Sequence, residues 1–506
     1  MLPRPGAGRS ANNCHCNRPH FVTVSQLNWR FLSLAQSEPA HMINPALEEL
    51  LNIRGLDDGY KPTITGADPV YSTHYRVGET GAAALGAVGV AVADIWEMKT
   101  GNRQDVSIDV RAAGAALKSF AFLERQNDAG QFETIGNSRA ANVNYAITQP
   151  FATRDGRWFL PHFGIKHLKR RVLDVLRCED TPDSVANAIS RWDAQDLEDA
   201  IAAARACGGM VRTHDEWLAH PHGASMAARP VVEIEKIGDS DPEPFKATGR
   251  ALEGIRVLDL TRILAGPVAA RTCAEHGAEV LMVAAKHLPQ IKNFVIDLSH
   301  GKRSCFLDLE DSTDAAQLAE LVRGADVFSQ GYRPGVLNTR GFGPEQLAAI
   351  RPGIIYTTIS CYGSQGPLAG RAGWEQVAQS VTGICEDSGL DKPTLLPVPA
   401  CDYLTGYLGA YGTLLALARR AREGGSYHVN VSLCQSAMML NRQGRVTYPA
   451  SDMGHSTDEA AALQMRSETS YGVIRHLAPV LKFSETAPAW STPSPALGAD
   501  SPSWLG

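Results

Sequence analysis

IRVLDLTRILAGPVAARTCAEHGAEVLMV, residues 255–283, is the stretch that decides the fold. Residues 255–260 read as a buried strand and 261–267 as a loop. A helix then runs through Glu275, with Gly277 as its C-terminal stop, and 278–283 make a second strand. The alternation continues downstream, with strands at 304–309, 326–329 and 354–360 and helices at 312–323 and 344–350. Strands alternating with helices at this spacing predict a parallel, doubly wound sheet. Ligands of such sheets sit beyond the carboxyl ends of the strands, where loop 261–267 lies. That loop lacks the glycines of a dinucleotide fingerprint, so a nicotinamide cofactor is unsupported. Its backbone N–H groups still suit an adenine or a phosphate.

Upstream, residues 1–60 read as irregular apart from a short helix near 45–51. A small-residue helix is expected at 76–98, a strand at 105–110 and a helix at 111–125. Residues 140–165 read as β-like pieces around a turn at Asp155-Gly156. Helical periodicity covers 166–228, with Thr181 or Asp183 as a cap and Trp192 on an apolar face. Residues 237–251 are polar and contain proline, which marks a linker.

One internal repeat organises the chain. Residues 409–432 align without gaps onto 86–109 at an offset of 323, and six of 24 aligned pairs are identical. The shared order carries more weight than the identities: small-residue helix, basic residue (Lys99 and Arg422), glycine turn, β-branched strand. The same offset sets Glu79 opposite Asp402.

The 506 residues are 44% hydrophobic and 20% charged, an ordinary globular composition, and the net charge of −6 argues against nucleic acid as a main partner. The longest apolar run, 81–93, is too short to cross a bilayer, so no membrane association is expected. Ten scattered cysteines fit reduced thiols and a cytoplasmic protein. Cys14, His15, Cys16 and His20 lack the spacing of a metal site, and no metal is expected. The first 37 residues hold four arginines and no acidic residue, the bias of a mitochondrial transit peptide. Their prolines and missing amphipathic period favour an unstructured extension instead.

Asp402, in PACDYLTGYLGAYG (399–412), stands at a predicted helix start. An acidic residue there is ordinarily a cap. The functional alternative is a nucleophilic carboxylate, approached by a bulky electrophile across small residues. The basic turn GKRS (301–304) and the loop YRPG (332–335) are either solvated or contact a phosphate. A phosphate-binding lysine motif, a zinc-binding HExxH and a GxSxG elbow are all absent.

These strings resemble the family III CoA-transferases, the CaiB/BaiF family. The match runs through LEGIRVLDLTRILAGP (252–267), HGAEVLMV (276–283), GKRSCFLDL (301–309), ADVFSQGYRPG (325–335), RPGIIYTTISCYGSQGP (351–367), GWEQVAQSVTG (373–383) and PACDYLTGYLGAYGTLLALARR (399–420), in the family's order. Fainter similarity covers about 70–245 and 470–504, like the longer two-copy members. The resemblance implies an α/β fold: a Rossmann-like parallel sheet domain, a smaller α+β domain and a partial duplication. The expected boundaries are an extension 1–60, a partial first copy 61–236, a linker 237–253, a CoA-binding second copy 254–443, and a segment 444–506 returning to the large domain.

It also implies a CoA-transferase acting on an acyl-CoA and a carboxylic acid, with coenzyme A as substrate and no permanently bound cofactor. The assembly implied is a homodimer, possibly interlocked. Asp402 matches the family's nucleophile, with Gly406 completing its context, and Glu375 matches an acidic residue that helps place it. CoA contacts carry over onto Arg262, Ile263, Ala265, Lys302, Arg303, Tyr332 and Arg333. The racemase branch carries a histidine where this chain has Trp374, which argues against racemase or lyase chemistry. The retained Asp402, GKR and YRPG argue against a degenerate CoA-binding protein. Two departures are Gly331, where an asparagine is common, and Ala284-Ala285 in place of a glutamate. Glu79, without such loops in its own copy, reads as vestigial.

Overall fold

The computed structural model describes residues 44–505 apart from 137, 247, 248 and 450–452. The expectations for 1–43, including the transit peptide and the Cys14–Cys16 pair, lie outside the described residues.

A seven-stranded sheet dominates the molecule. Its spatial order is Lys302–Phe306, Glu279–Ala284, Arg256–Asp259, Val327–Gln330, Ile355–Ser360, Ser426–Ser432 and Glu233–Gly238. The first six are parallel. In chain order they run 3-2-1-4-5-6, so the direction of winding reverses between Arg256–Asp259 and Val327–Gln330. Their residues are buried on both faces, as continuous runs such as Val257, Leu258 and Leu260 require. The sheet is mixed rather than purely parallel, because Glu233–Gly238 joins its edge antiparallel to Ser426–Ser432. That strand runs across the boundary expected between the first copy and the linker.

The repeat has a structural counterpart. Thr63–Thr65 pairs parallel with Val106–Asp109, and Lys482–Phe483 adds an antiparallel edge. This reproduces in miniature the end of the large sheet. The helix Val77–Thr100 connects the small pair as Ala400–Glu423 connects Ile355–Ser360 to Ser426–Ser432. Equivalent glycines make equivalent contacts. A Cβ on Gly89 would stand 2.4 Å from Val106, and one on Gly412 would stand 2.6 Å from Val429. Each strand then ends in a capped helix: Asp109 accepts from Arg111 N and Ala112 N, and Ser432 accepts from Gln435 N.

The two long helices pack on each other in one core. Tyr411 Oη of the second donates to Leu50 O at 2.7 Å, and the buried Arg54–Asp94 pair closes the first copy's side. Val77–Thr100 is long and apolar enough to cross a membrane, contrary to the expectation from the 81–93 run. Even so, 83% of its most apolar window is buried inside the protein, as in a core helix.

A smaller unit has its own core, built on the antiparallel strands Phe151–Ala152, Trp158–Pro161 and Gly208–Met210 and the helices Lys166–Leu176, Pro182–Ile189 and Ala194–Ala203. Thr181 caps the second of these helices. Two sequence expectations change here. Residues 139–147 are helical, not β-like, and the helix expected over 111–125 ends at Ala116. The chain then makes a 3₁₀ turn, Ser119–Phe122, and the strand Glu124–Gln126. Pairing of that strand with the distant Gly472–Leu477 overrides its local helical preference. The C-terminal residues run back along the sheet domain, where Ser304 N donates to Asp500 and Trp504 Nε1 donates to Leu321 O.

Candidate functional site

The helix Ala400–Glu423 has no side-chain cap of its own. Glu375, at the start of Glu375–Val381, supplies one from outside. Its Oε1 accepts from Cys401 N at 3.2 Å and Gln379 Nε2 at 2.6 Å, and its Oε2 accepts from Asp402 N at 2.5 Å. These bonds satisfy donors that a helix start leaves open. Both carboxylates are buried. Burial raises the pKa of each, and the amide donors counteract the rise at Glu375. Asp402 has no such relief: burial and then the charge of Glu375 push its pKa well above the usual carboxylate range. Of the two, Glu375 is the carboxylate whose charge the backbone amides stabilise.

Asp402 lies against loop 261–267. A Cβ on Gly406, one turn further along, would stand 2.6 Å from Ala265 O and from Val268 Cβ. Glycine at this position lets the helix Ala265–Glu275 approach and bring the loop to Asp402. Within the loop, Ile263 is held at φ 76°, a conformation costly for a β-branched residue. Asp259 accepts from Thr261 N at 3.0 Å, and Lys302 Nζ donates to Asp259 Oδ2 at 2.8 Å and Pro267 O at 2.9 Å. One buried ammonium thus ties both ends of the loop together. Lys302, expected to touch CoA, is fully buried in this pairing and lines neither cavity that meets at Asp402. Arg303 is also placed elsewhere: it donates to Ser503 O and pairs with Glu279 and Asp500 beside the C-terminal segment. Both residues sit at the start of their strand, away from the carboxyl ends where the loops gather.

Two cavities meet at Asp402. One, of about 270 Å³, is walled by Lys118, Phe120, Tyr145 and His162 from the first half of the chain and by Phe294 and Leu396 from the second. The other, of about 370 Å³, lies in the crevice where the sheet reverses and is lined by Arg262, Ala265, Tyr332, Arg333, His167 and Arg371. Ile263, Leu264, Trp374 and Asp402 line both, and Asp402 is the one ionisable side chain among the four. The second cavity is electropositive. Burial lowers the pKa of both Arg262 and Arg333, whose hydrogen bonds go to the carbonyls of Pro289 and Arg205 rather than to carboxylates.

The structure therefore gathers Asp402, Glu375, Arg262, Ile263, Ala265, Tyr332 and Arg333, and leaves out Lys302 and Arg303. Sequence reading missed His167, Arg371, Lys118 and His162, which sit in no motif. His162 stacks on Trp374 with ring centroids 4.6 Å apart. Its Nδ1 accepts from Gly164 N at 3.3 Å, which assigns the ring hydrogen to Nε2, facing Gln376 Oε1 at 3.1 Å. Burial lowers its pKa to about 4, so the imidazole is neutral and fully engaged.

The first copy carries an echo of the carboxylate pair. Asp68 accepts from Gly78 N at 3.1 Å and Glu79 N at 2.8 Å, the positions equivalent to Cys401 and Asp402. Glu79 itself is paired with Arg76 at 2.8 Å and lines neither cavity.

The sequence model described as CoA-transferase family III matches residues 61–246 and 252–471. An acetyl-coenzyme A transferase, nodX, of Hypoxylon pulicicidum is 29% identical over 77% of this chain and 72% of its own length. An acyl-CoA transferase of Gibberella moniliformis is 32% identical over 69% of this chain and 68% of its own. Among solved structures, a CAIB/BAIF family protein from Brucella suis is 27% identical, covering 45% of this chain and 65% of that one, with a TM-score of 0.35.

Proposed function

The chain belongs to CoA-transferase family III, whose members use CoA thioesters as substrates, and on that premise we propose that it moves CoA from an acyl-CoA to a carboxylic acid through Asp402. The observation that carries the reading is that Asp402 is the ionisable group shared by an electropositive crevice and a largely apolar cavity. The crevice, where no carboxylate among the described residues pairs with Arg262 or Arg333, suits the phosphates of CoA. The apolar cavity suits the acyl group.

In the first step an Asp402 oxygen bonds to the thioester carbonyl carbon and the C–S bond breaks, giving a mixed anhydride and CoA thiolate. The thiolate then adds to the Asp402 carbonyl carbon, releasing the donor acid as its carboxylate and leaving an aspartyl thioester. The acceptor carboxylate runs the same two steps in reverse order. Each exchange is a carboxylate or thiolate substitution, so the protein supplies position and exclusion of water rather than proton transfer. Glu375 holds the Asp402 backbone and, through its charge, raises the energy of the nucleophile. Trp374, Ile263 and Leu264 shield the intermediate from hydrolysis.

Hydroxylamine trapping tests the assignment. Protein incubated with an acyl-CoA and then hydroxylamine is expected to carry a hydroxamate on Asp402, found by peptide mass spectrometry. CoA exchange with no modification of Asp402 would overturn it.

A further inference from the structure

Lys118 is a half-buried cation in the apolar cavity that the transfer reading does not use. Its ammonium donates to Pro397 O at 2.9 Å, on the segment leading into the Asp402 helix. That single carbonyl leaves two of its three N–H donors free to point elsewhere. Apolar Phe120, Ile291, Phe294 and Leu396 line the same cavity, together with polar Asn144 and Gln376. Among the described residues no carboxylate pairs with it, and burial alone acts on its amine, lowering its pKa from the usual lysine value. Asp402 in turn feels only burial and Glu375. One cavity is therefore lined by both a cation and a carboxylate that do not compensate each other. Its volume of about 270 Å³ leaves room for a short aliphatic spacer.

We propose that Lys118 is a specificity-determining residue that receives the distal carboxylate of a dicarboxylic acid whose other carboxylate meets Asp402, so that the cavity selects dicarboxylic over monocarboxylic acids of equal length. The proposal rests on the transferase reading for the role of Asp402. A diacid satisfies both ends at once: its far carboxylate makes charge-assisted hydrogen bonds to the desolvated ammonium while its methylenes lie on the apolar lining. A monoacid leaves that ammonium with its present single partner.

The test is calorimetric binding of adipate and hexanoate, both six-carbon acids, to the full chain and to Lys118→Gln and Lys118→Arg. Glutamine keeps a donor for Pro397 O without the charge, and arginine restores the charge. Wild type is expected to bind adipate about 10- to 100-fold tighter than hexanoate. Lys118→Gln should erase that preference and Lys118→Arg should retain it. Equal affinity of wild type for the two acids overturns the proposal. So does a Lys118→Gln variant that binds both acids more weakly by the same factor, which would make Lys118 only a brace for Pro397. Binding needs no turnover, so the two readings fail separately. A diacid preference without an Asp402 hydroxamate defeats the transferase reading and leaves the Lys118 assignment standing, and the converse result does the opposite.

Discussion

The starts of the two long helices, Val77–Thr100 and Ala400–Glu423, share one local design and differ in what surrounds it. Each is capped by a carboxylate from outside the helix, on equivalent backbone amides. At the second, the helix Ala265–Glu275 presses in, and glycine is required at 406. At the first, the position equivalent to Gly406 is Ala83, a buried alanine, and the close approaches fall instead at Gly78 and Gly81, against Val110 and Leu117. Asp402 faces two cavities, whereas Glu79 faces Arg76. Duplicating a scaffold copies the carboxylate pair but not the site, because the site consists of loops from other elements.

The sharpest way to break this contrast is to neutralise each acid. Asp402→Asn should lower CoA exchange on the order of 10³-fold or more, as loss of a nucleophile does. Glu79→Gln should leave it within about twofold, since a half-exposed ion pair is worth little. Equal losses in a CoA-exchange assay would make the two ends equivalent after all. Next in size is Lys302→Met, which strands the buried Asp259. It should cost about 3–5 kcal/mol in chemical denaturation while the KM for acyl-CoA holds in the folded fraction, whereas a CoA contact would raise KM.

The glycine contrast is smaller. Gly406→Ala should cost about 1–3 kcal/mol by overpacking and lower kcat as Asp402 shifts, whereas Ala83→Gly should cost about 0.5–1 kcal/mol by backbone entropy with kcat unchanged. The gentlest probe is pH. The raised pKa of Asp402 means that transfer needs its ionised form and falls with acidification already above the usual carboxylate range. Glu375→Gln removes the neighbouring negative charge, so the acid limb of the rate profile should move to lower pH. An unmoved limb would assign it to another group.

Much of this was readable in the sequence. The 255–283 pattern gives strand, loop, helix and strand, because buried parallel strands are continuous apolar runs. The repeat at offset 323 announced paired helices whose glycines, Gly89 and Gly412, touch equivalent valines. Glu233–Gly238 escaped because none of its residues is fully buried, so it carries no clear apolar run, and its last two residues fall in the stretch read as linker. Lys302 misled because a lysine's four-carbon stem can turn inward, and its burial against Asp259 depends on a strand 43 residues away. Lys118 and His162 were invisible for a related reason: they meet Asp402 only once the first half of the chain folds onto the second.

The capping bonds also imply an order of closure during folding. In the first copy the cap closes a loop of 11 residues, from Asp68 to Glu79, and in the second one of 27, from Glu375 to Asp402. The longer closure costs about 0.8 kcal/mol more chain entropy, and its extra residues include the stretch that walls the apolar cavity. The amides of Gly78 and Glu79 should therefore gain protection from hydrogen exchange before those of Cys401 and Asp402 during refolding, and simultaneous protection would contradict this order. On that order, the end of the molecule that carries Asp402 should close onto a copy of itself that has already formed.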